Sequence, residues 1–326
     1  MTEPHRIDVH AHYLAPAYVN ALRAAERWLI GGIPVPEWTP ELALAFTDRF
    51  GIRRQYLSVS DPGVEFAPAG ERVALAQACN DYAAGVVAAH PDRFGAFAVL
   101  PGAPDAALAE ARRTLDDLRL DGIGLLSSNE GRYLGDPALD PLLAELDARE
   151  AWVFVHPTAV PDDAKPALGV PDFIAEYPFD TTRAIISLLI HGSFERFPRI
   201  RWHFAHGGGT VPMLRARLNA LAAAARELGP AFGAPDGAQL LTADSARAAL
   251  AHARYDTALV ADAPALLAVR ELAGTEHVLF GTDWPFAQRL YAAAEDGDPQ
   301  PALADVFQGD LLRAVEAGNA EREFGS

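Results

Sequence analysis

The sequence predicts an α/β fold, a distorted (β/α)8 TIM barrel with an inserted loop region after its first strand. Short apolar runs alternate with amphipathic segments along the whole chain, which is typical of strand–helix units around a parallel sheet. The length of 326 residues fits one barrel domain. Several apolar runs end in histidine or aspartate, as expected at the end of a barrel that carries an active site.

Eight strand–helix units can be placed in order. The predicted strands cover residues 5–11, 55–60, 94–100, 122–127, 151–155, 200–205, 254–257 and 277–281. The main predicted helices cover residues 73–89, 104–118, 136–149, 180–196, 211–228 and 264–273. A further helix is predicted to begin at Thr39-Pro40-Glu41, because threonine caps a helix N-terminus well and proline suits the first turn.

Two stretches, residues 13–40 and 158–178, are too long and too rich in proline and glycine for ordinary connections. Long loops of this kind often carry or cover a functional site. We therefore predict lid-like insertions at both places, within a single domain that spans residues 1–326.

Composition excludes some classes of partner. The formal net charge of −17 disfavours nucleic acid and anionic membranes, so an anionic substrate needs local attraction from a metal ion or an arginine. No run of about 18 apolar residues occurs, and no transmembrane helix is predicted. The first strand begins too early for a signal peptide and Cys79 is the single cysteine, so a cytoplasmic location is expected.

Four predicted strands end in histidine or aspartate. His10 and His12 are two residues apart, so both point to the same side of an extended strand. His156, His206 and Asp283 follow three later strands. Imidazole and carboxylate suit Zn²⁺ or another divalent transition ion, and three or four such ligands leave a position open for water. Each residue alone would be an ordinary strand-end side chain, but the joint pattern predicts a mononuclear metal site.

His203 is given no role in this site. It precedes His206 by three residues, so the two are expected to project to opposite sides of an extended strand. The run Gly207-Gly208-Gly209 lacks the lysine of a phosphate-binding loop. We interpret it as a turn that lets the backbone approach the site.

Five motifs spread over nearly the whole chain carry a resemblance to a known family. They are Asp8-Val9-His10-Ala11-His12, Val155-His156-Pro157, His203-Phe204-Ala205-His206-Gly207-Gly208-Gly209, Phe280-Gly281-Thr282-Asp283-Trp284-Pro285-Phe286, and Gly318-Asn319-Ala320. The pattern resembles the amidohydrolase superfamily, specifically its aminocarboxymuconate-semialdehyde-decarboxylase-like branch. Residues 176–183 and the His-Gly-Gly-Gly-Thr turn look like 6-methylsalicylate-decarboxylase-type members.

The resemblance implies one divalent metal ion, usually Zn²⁺ and in some relatives Mn²⁺. It implies His10, His12, His156 and Asp283 as ligands, with His206 beside the metal as acid–base residue. It also implies carbon–carbon bond cleavage without redox chemistry, and a homodimer or larger homo-oligomer.

The lysine count also favours a single ion. Binuclear relatives often bridge two ions with a carboxylated lysine at the end of strand 4, whereas this strand ends in Ser127 and the sole lysine, Lys165, lies in a later loop.

One departure from the branch concerns substrate binding. The decarboxylase that names the branch has a substrate-binding arginine before its Trp-Asp-Pro-Glu-like segment, but residues 31–36 contain no arginine here. Arg183 is a candidate to bind an anionic group through its bidentate fork. Equally, it can pair with Asp180 or Glu176 and do nothing else.

We expect non-oxidative decarboxylation of a small carboxylic acid, hydroxyaromatic or unsaturated, whose hydroxyl and carboxylate would chelate the metal. Either His206 or Asp283 would protonate the ring carbon that bears the carboxylate. Phe66, Tyr177 and Trp284 are candidate walls of the substrate pocket. The alternative is a hydrolase or hydratase that uses metal-activated water on a lactone, an amide or an unsaturated acid. A non-catalytic barrel with structural zinc is disfavoured, because structural sites are usually closed by ligands from nearby segments.

Overall fold

Eight parallel strands form the barrel that the sequence predicts. The structure is a computed structural model that describes residues 5–129, 131–158, 168–228, 235–288 and 297–325. Its barrel strands are β1 (Arg6–His12), β2 (Ile52–Ser58), β3 (Phe94–Val99), β4 (Gly122–Leu126), β5 (Trp152–His156), β6 (Arg201–Phe204), β7 (Arg254–Asp256) and β8 (Val278–Leu279). They pair in chain order from β1 to β8, each consecutive pair being parallel. The (β/α)8 prediction is therefore confirmed.

Helices occupy the connections between the strands. They are α1 (Pro16–Ala24), α2 (Pro40–Arg49), α3 (Arg72–Ala89), α4 (Pro104–Asp116), α5 (Asp140–Ala148), α6 (Asp172–Ile190), α7 (Ser193–Arg196), α8 (Val211–Leu228), α9 (Ala243–His252), α10 (Ala263–Ala273), α11 (Leu303–Val306), α12 (Asp310–Arg313) and α13 (Asn319–Phe324). The predicted start of α2 is confirmed, since the Thr39 hydroxyl accepts the Leu42 N–H at 3.2 Å. Helix α9 has no counterpart in the sequence prediction.

The barrel closes between its first and last strands. The Asp283 N–H donates to the His10 carbonyl at 2.8 Å, and the His12 N–H donates to the Trp284 carbonyl at 2.7 Å. These bonds tie the segment that follows β8 to the C-terminal end of β1. The first and last strands of the barrel are thus joined at the face where the predicted metal ligands lie.

Both predicted insertions contain more regular structure than expected. The first includes α1 and a short hairpin of Leu29–Ile30 with Ile33–Pro34. In the second, α6 begins at Asp172 rather than at residue 180 and ends at Ile190, so residues 172–178 are helical and not loop. Residues 159–167 lie outside the described part of the chain.

Pro178 misled the prediction of this helix. A proline inside a helix removes one backbone hydrogen bond, yet α6 continues through it. The Thr182 hydroxyl donates to the Pro178 carbonyl at 2.7 Å, and Tyr177, Ile185 and Leu188 bury their side chains on the inner face. Packing of that face outweighs the local cost of the proline.

A cluster of aromatic rings fills the barrel at the end opposite the predicted site. Trp152 begins β5 and His156 ends it, so contacts with Trp152 mark the N-terminal end of the barrel. The ring of Phe324, in α13, lies 4.1 Å from Tyr56 and 4.6 Å from Trp152 between centroids. Phe97 stacks on Tyr56 at 5.6 Å. The C-terminal helix therefore closes the bottom of the barrel.

Replacing Phe324 with alanine is expected to lower the free energy of unfolding by about 2–4 kcal/mol, because the ring leaves a cavity among aromatic neighbours. Chemical denaturation measures the change. Leu311→Ala is the matched control, since Leu311 lies in the same terminal region and is 51% exposed. Equal stability of the two variants would contradict this account of the barrel bottom.

Candidate metal centre

Five predicted side chains converge at the C-terminal ends of the strands. One ligand atom from each of His10, His156, His206 and Asp283 can be chosen so that all lie within 4.8 Å of one another. His12 completes the group: its Nε2 lies 3.2 Å from His10 Nε2 and 2.9 Å from Asp283 Oδ1. All five are buried. The structure thus brings together residues that are up to 273 positions apart in the chain.

The outward nitrogen of three of these rings is held by an acceptor. His10 Nδ1 donates to Asp256 Oδ2 at 2.9 Å, and His156 Nδ1 donates to the Pro157 carbonyl at 2.7 Å. His12 Nδ1 donates to Ser58 Oγ at 3.0 Å, because that hydroxyl itself donates to a backbone carbonyl. Metal-binding histidines are commonly fixed in this way, which leaves Nε2 free to coordinate.

The donor set fits a divalent ion such as Zn²⁺ or Mn²⁺. Imidazole nitrogen and carboxylate oxygen are suitable ligands for both. Two nitrogens bound tetrahedrally to one Zn²⁺ are about 3.3 Å apart, close to the separation of 3.2 Å between Nε2 of His10 and Nε2 of His12.

His206 has a different environment from the other three histidines. Its Nε2 is buried and makes no hydrogen bond within the described residues, and it lies 3.7 Å from Asp283 Oδ2. Its backbone N–H, not its ring, is the group that donates to Asp256. The ring is therefore close to the metal group without the anchored nitrogen that marks His10, His12 and His156.

Asp256, in β7, connects His10 of β1 with His203 and His206 of the β6 segment. Asp256 was not identified in the sequence analysis. Its carboxylate accepts hydrogen bonds from His10 Nδ1, from His203 Nε2 at 2.8 Å and from the His206 backbone at 3.0 Å. It is the last residue of β7. The same signal that identified Asp283, a carboxylate at the end of a predicted strand, would have found it.

The orientation expected for His203 is wrong. Its ring lies among the barrel's interior aromatic residues, 4.7 Å from Phe154 between centroids, and binds Asp256. The backbone leaves the extended conformation at His206, where φ is 54°, so strand alternation no longer applies. His203 and His206 therefore both face inward. Asp283 also has positive φ, 56°, at the corresponding turn after β8.

The glycine run after His206 is a turn, as predicted, and close packing requires it. A Cβ on Gly209 would lie 2.1 Å from the Pro178 carbonyl oxygen, and one on Gly208 would lie 2.6 Å from the Tyr255 ring. Both residues also have positive φ, which L side chains rarely adopt. The turn therefore brings α6 directly against the segment that carries His206.

Burial and neighbouring charges set the protonation of the site. Burial lowers the pKa of His12. Burial, and to a smaller extent the positive charge of neighbouring histidines, lowers the pKa of His156 well below its usual range. Burial also lowers the pKa of His10, but Asp256 and then Asp283 raise it overall to about 10. For Asp283, burial raises the pKa, but its interactions with His10 and His12 hold it well below its usual range. Among His10, His12 and His156, only His10 thus has a raised pKa, and it lies beside two carboxylates.

The amidohydrolase family model matches residues 7–325. The chain belongs to the amidohydrolase family. Decarboxylase yanB of Aspergillus niger is 36% identical over 306 residues, covering 86% of this chain and 77% of its own. The 6-methylsalicylic acid decarboxylase acuB of Aspergillus aculeatus is 36% identical over 295 residues, covering 87% of this chain and 85% of its own.

A solved structure shares the fold. The 5-carboxyvanillate decarboxylase of Novosphingobium aromaticivorans, in complex with manganese and 4-hydroxy-3-methoxy-5-nitrobenzoic acid, superposes with a TM-score of 0.83 and 20% identity, over 98% of this chain and 96% of that chain. Within the described residues, no helix combines the length and apolar character that a bilayer crossing requires.

A small cavity adjoins the five converging side chains of this amidohydrolase, that is, the three histidines with anchored rings, His206 and Asp283. Its volume is about 20 Å³, and His156, Asp283, Tyr177 and Phe286 are among the residues that line it. Tyr177, a predicted wall, donates its hydroxyl to Asp61 at 3.0 Å. Phe286 was not predicted, although it closes the motif that contains Asp283. The hairpin of the first insertion also lines the cavity, through Ile30, Gly31 and Ile33.

Three predicted substrate-binding residues do not line this cavity. Arg183 is half exposed and lies 3.9 Å from Asp180, whose carboxylate also accepts from Ser127 and Tyr133. Ser127, which follows β4 where binuclear relatives often carry a lysine, thus binds Asp180 of α6. Lys165 lies outside the described residues.

The other two aromatic residues pack on outer helices. Trp284 stacks on Phe46 of α2 at 5.2 Å, and Phe66 packs on Tyr18 of α1 at 5.7 Å. Sequence order placed Trp284 next to a ligand, but its side chain points away from the barrel axis, towards α2.

Asp256→Asn is expected to weaken metal binding about 10- to 100-fold, because the amide no longer fixes the protonation and orientation of His10. Chelator competition measures the dissociation constant of the ion. Asp105→Asn, an exposed change in the first turn of α4, should leave that constant unchanged. Identical affinities of the two variants would contradict the role given to Asp256.

Metal binding is expected to release about one proton per ion at pH 7, because a metal that takes His10 Nε2 displaces the proton there. The pKa of about 10 for His10 means that apparent affinity rises with pH from 7 towards 10. Calorimetric titration in buffers of different ionisation enthalpy counts the protons. Binding without proton release at pH 7 would show that His10 is already neutral.

Proposed function

We propose that this amidohydrolase is a metal-dependent carboxy-lyase that removes CO₂, without oxidation, from a small hydroxyaromatic acid. The relatives that share about a third of its sequence are decarboxylases. The observation that carries the proposal is His206: a buried, unpaired ring nitrogen beside three anchored histidines and Asp283. Such a group can exchange a proton with a bound substrate while the others hold the ion.

The proposed ligands are His10, His12, His156 and Asp283. Anchoring of Nδ1 in all three histidines supports their assignment. Among the described residues no side-chain or backbone group holds the ring of His206 by a hydrogen bond, and its buried Nε2 is unpaired, which supports its exclusion. When bound, the ion would hold the substrate's carboxylate and hydroxyl oxygens and stabilise negative charge on them. Zn²⁺ is the expected ion and Mn²⁺ the alternative, which metal content of the purified protein decides.

His206 is the proposed proton donor. Decarboxylation requires a proton on the ring carbon that carries the carboxylate. This protonation makes that carbon tetrahedral, and the ring is not aromatic until CO₂ leaves. The carbon–carbon bond then breaks, its electron pair restores the aromatic ring, and CO₂ leaves. Asp283 is the weaker candidate for the donor, because its low pKa leaves it ionised and one of its oxygens already faces His12. The proton that His206 donates is replaced from solvent before the next turnover.

The surroundings of the site suit an aromatic acid. Tyr177 and Phe286 line the adjoining cavity, and aromatic side chains favour a flat ring. The hairpin at Ile30 and Ile33 covers the same cavity, which supports the proposal that the first insertion is a lid. Exclusion of water by such a lid would strengthen the interaction of charged groups with the substrate.

Assembly and location are part of the proposal. A homodimer or larger homo-oligomer rests on the family resemblance, and a cytoplasmic location rests on the single cysteine, Cys79, which is buried. Sedimentation and cell fractionation measure the two. A small-molecule acid is the proposed partner, since the net charge of −17 disfavours nucleic acid.

His206→Ala is expected to lower the kcat of CO₂ release by about 10²- to 10⁴-fold, the usual contribution of a general acid. Its metal content should stay unchanged, because His206 is not a ligand. The measurement uses Zn²⁺- or Mn²⁺-loaded protein and a panel of 2-hydroxybenzoic acids, and removal of the ion by chelation should abolish activity. His252→Ala, an exposed change on α9, is the control.

Turnover of lactones or amides, with no CO₂ from any acid, would assign the same site to hydrolysis instead. Full activity in His206→Ala would exclude that residue as the proton donor. Loss of metal from this variant would show that His206 is a ligand.

A further inference from the structure

An apolar groove runs from His206 to the protein surface. It has a volume of about 550 Å³ and lies between α6, the start of α8 and α10. Its wall includes the apolar residues Phe173, Ile174, Pro178, Met213, Leu259 and Val260. Two of them are well exposed at the rim, Met213 at 79% and Ile174 at 57%.

The groove adjoins the cavity beside His156 and Asp283. Phe173 and Leu259 line both spaces, so these two side chains form the border between them. Leu259 has a φ of 55°, a left-handed conformation that is unfavourable for a residue other than glycine. Strain of this kind persists where surrounding structure holds a side chain at a functional place.

The chemistry of the wall selects an uncharged group. Of the described residues that line the groove, only His206 and Asp262 can carry charge, and none is lysine or arginine. The Asp262 carboxylate already accepts the Ala265 N–H at 2.9 Å as the cap of α10. A second carboxylate on a substrate would lose its hydration here without gaining a cation as partner, which costs free energy. An alkyl or aryl group has no such hydration to lose.

The size of the groove exceeds the needs of one ring. An apolar cavity of about 150 Å³ already holds benzene, whereas this groove has about 550 Å³. The space beside His206 can therefore take a ring substituent several carbons long.

We propose that the groove is a subsite for an extended apolar substituent on the aromatic acid, longer than a methyl group. This inference rests on the proposed decarboxylation and specifies its substrate class as monocarboxylic. The carboxylate lies at the metal group, His206 faces the ring, and the substituent passes the border of Phe173 and Leu259 into the groove.

The test is a series of 2-hydroxybenzoic acids that carry a methyl, propyl or pentyl group at each free ring position. For at least one position, kcat/KM for CO₂ release should rise about two- to fourfold per added methylene, as expected for burial of apolar surface. A second carboxylate at that position should abolish the gain. A kcat/KM that does not rise with chain length at any position would overturn the subsite.

Two pairs of variants locate the effect. Met213→Glu and Ala268→Phe place a charge or a ring in the groove, and should reduce the pentyl-to-methyl ratio of kcat/KM to about one. Leu221→Glu and Leu267→Phe are their controls: both residues are exposed on the same two helices, α8 and α10, and neither lines the groove. The controls should keep the wild-type ratio, and thermal melting shows whether each variant folds. Ratios that are equal in variants and controls would overturn the subsite.

Two further outcomes separate this inference from others. A change in sedimentation of Met213→Glu, with equal loss for short and long acids, would make the groove a contact between copies of the chain and overturn the subsite. If no acid releases CO₂, the proposed function fails, and dissociation constants of the same series decide the groove: tighter binding with chain length supports it, and a flat series overturns it.

Discussion

The site depends on the closure of the barrel between β1 and β8. Asp8 maintains that closure from within: its buried carboxylate accepts hydrogen bonds from Gln55 Nε2 at 2.9 Å, and from the backbone and hydroxyl of Thr282 at 3.0 and 2.6 Å. With Thr282 held there, the backbone bond from Asp283 to His10 forms at 2.8 Å. Asp283, a proposed ligand from the segment after β8, is thus placed against the proposed ligands His10 and His12 on β1. Burial raises the pKa of Asp8 to about 6 despite these donors, a measure of how far the junction is from water.

Outside this junction, the ring of each proposed histidine ligand is held by a group that is not itself a proposed ligand. Asp256 holds His10 and the backbone of His206, while Ser58 holds His12. Anchoring of this kind preorganises the donor atoms and costs no rearrangement when an ion binds. It also separates residues of the same type into two roles. A histidine with an anchored Nδ1 presents a fixed lone pair, whereas His206, whose ring has no such anchor among the described residues, is the proposed partner of the substrate.

The sequence was sufficient for the barrel and for the convergence of the five side chains, because strand ends meet at one face of a parallel barrel. It was insufficient where tertiary packing overrides local preference. Pro178 suggested a loop, yet the buried face of α6 keeps it helical. Positive φ at His206 reversed the expected direction of His203. Trp284 was chosen because it follows Asp283, and Arg183 because it lies in a family-like segment and can bind an anion. Side-chain direction, however, depends on neighbouring helices that a motif does not describe. Asp256 could have been identified from the sequence, because it is a carboxylate at the end of a predicted strand, as Asp283 is.

The central claim is that one ion is held by three anchored histidines and Asp283 while His206 remains unbound. Anomalous diffraction from crystals of the Zn²⁺-loaded protein tests it most directly, since the ion and its ligand atoms are then located together. The account predicts a single peak, with Nε2 of His10, His12 and His156 and an Asp283 oxygen at about 2.0–2.2 Å, and with the His206 ring outside that range. A peak bound by His206 in place of His12, or two peaks, would contradict it.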